Sequence, residues 1–115
     1  MEAVLHVEAA VKRVISAQYK ELFGKGPEET TVHIADNMMT IKFSGIMTRI
    51  EETLCKAEEG NRLVKEIRER IINVARLQYL PSLEEICDRK IEHMTYYYSE
   101  STNNMYLFII FEQDH

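Results

Sequence analysis

The chain has 115 residues, and 14 Lys and Arg against 19 Asp and Glu leave a net charge of −5. A chain this long hides roughly 65–70% of its unfolded surface, enough for one core without metal or disulfide staples. With 45% hydrophobic and 29% charged residues its composition is globular. That excludes disorder, a collagen-like repeat and a disulfide scaffold, and the acidity argues against general binding to nucleic acid or anionic membrane. Residues 1–115 are expected to form a single domain.

No targeting signal is expected. Met1 to Glu8 carries acids where a signal peptide needs a basic stretch before an apolar run. The longest apolar run, Met105 to Phe111, is seven residues, far below the ~20 that span a bilayer. Cys55 and Cys87 are expected to stay reduced. These features predict a cytoplasmic protein without direct membrane insertion.

In chain order, Val4, Val7, Val11, Val14, Ile15 and Leu22 recur at helical spacing over residues 2–23, and Gly24-Lys25-Gly26-Pro27 must end that helix. Asp36-Asn37 reads as a two-residue hairpin turn pairing Ala35 with Met38, Ile34 with Met39 and Val32 with Ile41. Val32, Ile34, Met39, Ile41 and Phe43 then share one face, with Thr31, His33, Ala35, Met38, Thr40 and Lys42 on the other. Gly45 ends the second strand, and Thr48-Arg49-Ile50-Glu51 is a capping box opening a helix with Ile50, Leu54 and Ala57 at its apolar edge. Gly60-Asn61 is a break or a tolerated interruption.

From Arg62 to Gln78, the apolar positions Leu63, Val64, Ile67, Ile71, Val74, Ala75 and Gln78 follow helical spacing. Pro81 is expected to interrupt it, and Ser82-Leu83-Glu84-Glu85 to cap a further short helix ending near Arg89. A second hairpin joins Ile91–Ser99 to Met105–Phe111 by a two-residue turn within Ser101–Asn104. Met94, Tyr96 and Tyr98 share a face with Leu107, Ile109 and Phe111. The opposite face holds His93, Thr95, Tyr97, Phe108 and Ile110, so one strand is apolar on both sides and belongs at the centre of the sheet or under a cover. The fold class is α+β: helix, hairpin, two or three helices, hairpin, with a mainly antiparallel four-stranded sheet packed by helices.

Candidate chemistry is sparse. Gly24-Lys25-Gly26-Pro27 reads first as a helix C-cap with a solvated lysine; the alternative is an anion held on the backbone amides of Gly24 and Gly26 with Lys25, although the spacing is not that of a Walker loop. His6, His33 and His93 show no zinc-ligand spacing with Cys55 or Cys87, and both cysteines read as packed residues rather than nucleophiles. Acidic pairs such as Glu51-Glu52 and Glu84-Glu85 suit helix first turns better than acid–base catalysis. Arg62, Lys65, Arg68, Arg70 and Arg76 interleave with Glu66 and Glu69 at i,i+4, which makes a solvated, salt-laced face. Tyr96-Tyr97-Tyr98 with Phe108 and Phe111 lacks the basic surround that base stacking needs. Tyr97, Phe108 and Ile110 instead form a candidate protein interface, used for a homodimer. No catalytic constellation, metal site or cofactor is expected.

Gly24-Lys25-Gly26-Pro27, Val32-His33-Ile34, Gly45-Ile46-Met47-Thr48, Glu52-Thr53-Leu54, Glu59-Gly60-Asn61-Arg62 and the helix containing Arg68 together resemble the MpsC-like family of small bacterial domains. The resemblance covers nearly the whole chain and is closest through about Ile72. It implies a soluble accessory component, a possible subunit of a membrane-potential-generating system linked to cation or inorganic-carbon transport. If signature residues mark a site, it comprises Gly24, Lys25, Gly26, Pro27, Thr48, Glu52, Gly60 and Arg68. The expectation is a non-enzymatic accessory protein acting through protein contacts. The alternative is a small-molecule or anion binder, or a weak enzyme, using Lys25 and Arg68.

Overall fold

A computed structural model describes residues 2–113. Helix α1 spans Glu2–Phe23 and strands β1 and β2 span Glu29–Ala35 and Met38–Ser44. Helices α2 (Arg49–Leu54) and α3 (Gly60–Cys87) follow, then strands β3 (Ile91–Ser99) and β4 (Asn104–Phe111). The four strands form one antiparallel sheet in the order β1-β2-β4-β3.

Turn chemistry and alternation set the register of the first hairpin. Asp36 takes a left-handed φ of 57°, which a short polar side chain tolerates. Ala35 pairs with Met38, Ile34 with Met39 and Val32 with Ile41, as the alternation predicts. In the second hairpin Met94 faces Ile109, Tyr96 faces Leu107 and Tyr98 faces Met105. The predicted faces hold, but the turn is longer. Ser99 pairs with Asn104, so four residues, Glu100 to Asn103, make the loop, and Asn103 takes a left-handed φ of 57°. β4, apolar on both faces, lies between β2 and β3.

Helices α1 and α3 pack on the face holding Met39, Ile41, Phe43, Leu107, Ile109 and Phe111. α1 contributes Val11, Ile15 and Tyr19, and ends where Gly24 (φ +79°) donates its N–H to the Lys20 carbonyl at 2.8 Å. The other sheet face stays open among the described residues: Tyr97 is 58% exposed and Met38 46%, while Tyr106, Phe108 and Ile110 are half-buried against one another.

In the middle of the chain one open reading is settled and one expectation is corrected. Gly60-Asn61 marks a true break: α2 ends at Leu54, Glu59 turns left-handed at φ 67°, and α3 begins at Gly60. The turn is so tight that a Cβ on Gly60 would run into the Leu54 carbonyl oxygen. Pro81, by contrast, ends nothing, and α3 runs through it to Cys87. A proline inside a helix forfeits one hydrogen bond and costs about 3 kcal/mol. Here it sits on the exposed side, and beyond it the helix buries Leu83 and half-buries Ile86 and Cys87. Ser82 is therefore no cap; its hydroxyl donates to the Tyr79 carbonyl and accepts from Gln18.

The face of α3 is corrected too. Val64, Arg68, Ile72, Ala75 and Leu83 point into the core. Of the predicted apolar stripe, Leu63, Ile67, Val74 and Gln78 are exposed and Ile71 is half-buried. On α2, Ile50 is exposed as well, and Ala57 lies beyond the helix in the turn.

Candidate functional site

The motifs that stood out in the sequence converge on the connector between β2 and α2, residues 45–48. Its backbone is held from three sides. The Asn103 side-chain oxygen accepts the N–H groups of Ile46 (3.0 Å) and Met47 (2.8 Å), and the Asn103 carbonyl accepts that of Gly45 (2.9 Å). Lys25 donates its Nζ to the Met47 carbonyl at 3.1 Å. Arg68 donates Nη2 to the Ile46 carbonyl at 3.1 Å.

Thr48 then opens α2 with the predicted capping box. The Glu51 N–H donates to Thr48 Oγ1 (3.2 Å), and the Thr48 N–H donates back to Glu51 Oε1 (2.9 Å). The same carboxylate takes both prongs of Arg68, Nε to Oε2 and Nη2 to Oε1, each at 2.6 Å. Arg68 Nη1 donates to the Tyr19 hydroxyl at 2.7 Å, and the guanidinium lies 4.5 Å from the Phe23 ring centroid and 5.4 Å from that of Tyr98. Its side chain is 0% exposed. A buried guanidinium needs this degree of satisfaction, because leaving a charge in the interior without a partner is costly.

The electrostatics follow from burial and from that pair. Burial alone would raise the Glu51 carboxyl, but hydrogen bonds from Arg68 and Thr48 outweigh it and hold the group below its ordinary value of 4.5. Burial raises the Tyr19 phenol despite Arg68 beside it. Burial also pushes Tyr98 up to about 12, against the pull of Arg68. The Tyr98 hydroxyl is buried with no hydrogen-bond partner among the described residues.

In this geometry Gly24, Lys25, Gly26 and Arg68, the anion-site candidates, lie around one connector, and three of them have structural partners. Gly24 is a helix C-cap, Lys25 is engaged by the Met47 carbonyl, and Arg68 is neutralised by Glu51. The two cations grip adjacent carbonyls of one connector, so the cluster clamps α1, the connector and α3 together. Both thiols are pushed up, Cys55 by burial and then the carboxylates of Glu100 and Glu51, Cys87 by burial. That disfavours the thiolate a nucleophile requires. Among the described residues no three His, Cys, Asp or Glu side chains stand together as a metal would need.

Tyr97, Phe108 and Ile110 do share the open sheet face, where Thr95 pairs with Phe108 and His93 with Ile110. Tyr106 completes the patch, its ring 6.2 Å from Tyr97 and stacked on Phe108 at 6.1 Å. The sequence pattern missed Tyr106 and Met38 there. It also missed the exposed row on α3, where Val74 and Leu77 are 73% and 82% exposed. Of the ion pairs expected on α3, Arg70 meets Glu66 at 3.2 Å, while Arg62 turns back to Glu59 at 3.1 Å.

No described helix is long and apolar enough to cross a membrane. No solved structure is detectably similar. An uncharacterized protein of Bacillus subtilis (strain 168), YrhF, is 29% identical over 82 residues, covering 70% of this chain and 67% of that protein. The family model described as the Na+-translocating membrane potential-generating system (MpsC) matches residues 4–113, signature segments, connector and both hairpins included. The chain belongs to the MpsC family.

Proposed function

We propose that this protein is a non-enzymatic accessory subunit of a Na+-translocating membrane potential-generating system, acting from the cytoplasmic side as a homodimer through protein–protein contacts. Family membership supports the association with such a system. The observation that carries the mode of action is the open sheet face, where Tyr97, Tyr106, Phe108 and Ile110 gather beside Met38 with no described helix over them. Aromatic residues and Met concentrate in interface cores, and a small monomer rarely keeps such a face wet. The polar cluster around Arg68 serves this role indirectly by fixing the helices on the opposite face.

The test is genetic and physical together. Deleting the gene should lower the Na+-dependent membrane potential read by a voltage-sensitive dye, and the wild-type chain should restore it. Phe108→Asp should fail to restore it while keeping the wild-type melting temperature within a few degrees. Unchanged potential in the deletion strain would sink the reading. Full rescue by Phe108→Asp would remove the sheet face from it.

A further inference from the structure

α3 carries apolar side chains on two opposite sides. One side, through Val64, Arg68, Ile72 and Ala75, closes the core. The other presents Leu63, Ile67, Arg70, Val74, Leu77 and Pro81, all exposed. An amphipathic helix needs only the first side to fold. The second is a seam of heptad spacing, four and three residues alternating, about 27 Å long at 1.5 Å per residue. It faces away from the domain, on the far side of α3 from its core residues.

From this we infer that the outer face of α3 is the self-association surface, pairing with a second copy in antiparallel orientation. The inference rests on the homodimer in the reading above but moves its surface from the sheet face of Tyr97, Phe108 and Ile110 to α3, leaving the sheet face for the partner protein. Three observations on the helix favour a second copy turned end for end.

First, the intervals 63–67–70–74–77–81 run four, three, four, three, four, the same in both directions. A reversed copy therefore presents a matching row, Ile67 meeting Leu77 and Arg70 meeting Val74 across the seam. Second, Arg70 stands mid-seam, tied to Glu66 at 3.2 Å. A parallel, in-register pair would set Arg70 against its own copy, whereas reversal sets it against an apolar neighbour with its counter-ion alongside. A charged residue at such a position fixes orientation at some cost in stability. Third, the first half of α3 carries Arg62, Lys65 and Arg70 against Glu66 and Glu69, while Glu84 and Glu85 stand near its end. Reversal sets Arg62 of one copy opposite Ser82 of the other, beside Glu84 and Glu85, and parallel pairing does not.

Light scattering after size exclusion, at 5 and 200 μM, tests the surface on the full chain. The wild-type chain should elute at dimer mass at the higher concentration. Leu77→Glu and, separately, Val74→Glu should shift it to monomer mass with unchanged circular dichroism. Phe108→Asp should stay dimeric. A spin label introduced by Arg62→Cys, in a Cys55→Ser/Cys87→Ser background confirmed dimeric, should report a separation of about 30 Å between copies, set by the rise over some 20 helical residues. Parallel pairing would give about 10 Å, the usual gap between packed helices. A dimer that survives both α3 variants, or a distance near 10 Å, overturns the inference. If Phe108→Asp alone dissociates it, self-association stands and the surface is wrong. A wild-type chain monomeric at 200 μM overturns both.

Discussion

The two sides of α3 invert the usual rule in opposite senses. Inward, the helix buries a full charge, Arg68, among Val64, Ile72 and Ala75. Outward, it gives water Val74 and Leu77. The buried charge is held by a carboxylate, a phenol and a carbonyl. Among the described residues Val74 and Leu77 of the exposed row have no covering partner. One inversion is satisfied inside the fold, and the other points to a contact outside it.

The sharpest way to break this comparison is to remove the inner charge. Arg68→Met should destabilise the domain by about 3–5 kcal/mol in urea denaturation, because Glu51 is left buried without its counter-ion. A loss below about 1 kcal/mol would mean the cluster is not a clamp. The same pair predicts an acid limb. Since the folded Glu51 titrates below its ordinary 4.5, its stabilisation is complete above that pH and is lost as pH falls through the lower folded value. Arg68→Met should flatten that limb.

Gly60→Ala comes next, at about 1–3 kcal/mol, since the added methyl meets the Leu54 carbonyl and the turn before α3 must open. In an ordinary helix interior the same change stabilises by up to about 1 kcal/mol, so the sign alone decides whether the α2–α3 turn sets the pitch of the clamp.

Tyr98→Phe should be neutral or stabilising by about 1 kcal/mol, because the hydroxyl it deletes is buried without a partner among the described residues. Ultraviolet titration at 295 nm should lose its latest-ionising tyrosine, the one pushed up to about 12. In the parent chain that tyrosine's contribution is intact below pH 10 and is lost as pH rises through about 12. Smallest of all, Leu77→Glu should change the unfolding free energy of the dilute monomer by no more than about 0.5 kcal/mol. Together, a severe inner effect and a negligible outer one would confirm that the exposed row has no role in holding the monomer.

Much of the fold was readable because local rules and packing agreed. The Asp36-Asn37 turn, strict alternation in residues 30–43 and the Thr48–Glu51 box each point to one geometry. Where they disagreed, packing won. Pro81 carries a strong stop signal, yet Leu83 and Ile86 on the far side have core to fill, and the helix continues. The register of α3 was misread for a related reason: a helix apolar on two sides offers two stripes, and the outer one contains more large side chains. Arg68 was the missed cue, since it shares a face with Val64, Ile72 and Ala75. Among five basic residues it looked solvated, and its partner Glu51, seventeen residues earlier, belonged to a cap. Long-range pairing of this kind leaves no periodic trace.

The place of β4 has a consequence for how the chain reaches this state. β2 has β1 as its local partner, but its other edge pairs with β4 from Met38–Ile110 to Ser44–Asn104. The sheet is discontinuous until residues 104–111 arrive. Before then the first hairpin offers an unpaired edge with Met39, Ile41 and Phe43 on its inner face, and two strands alone are marginal in water. Such separation slows folding. It also makes any chain truncated before β4 a collection of sticky edges rather than a smaller domain.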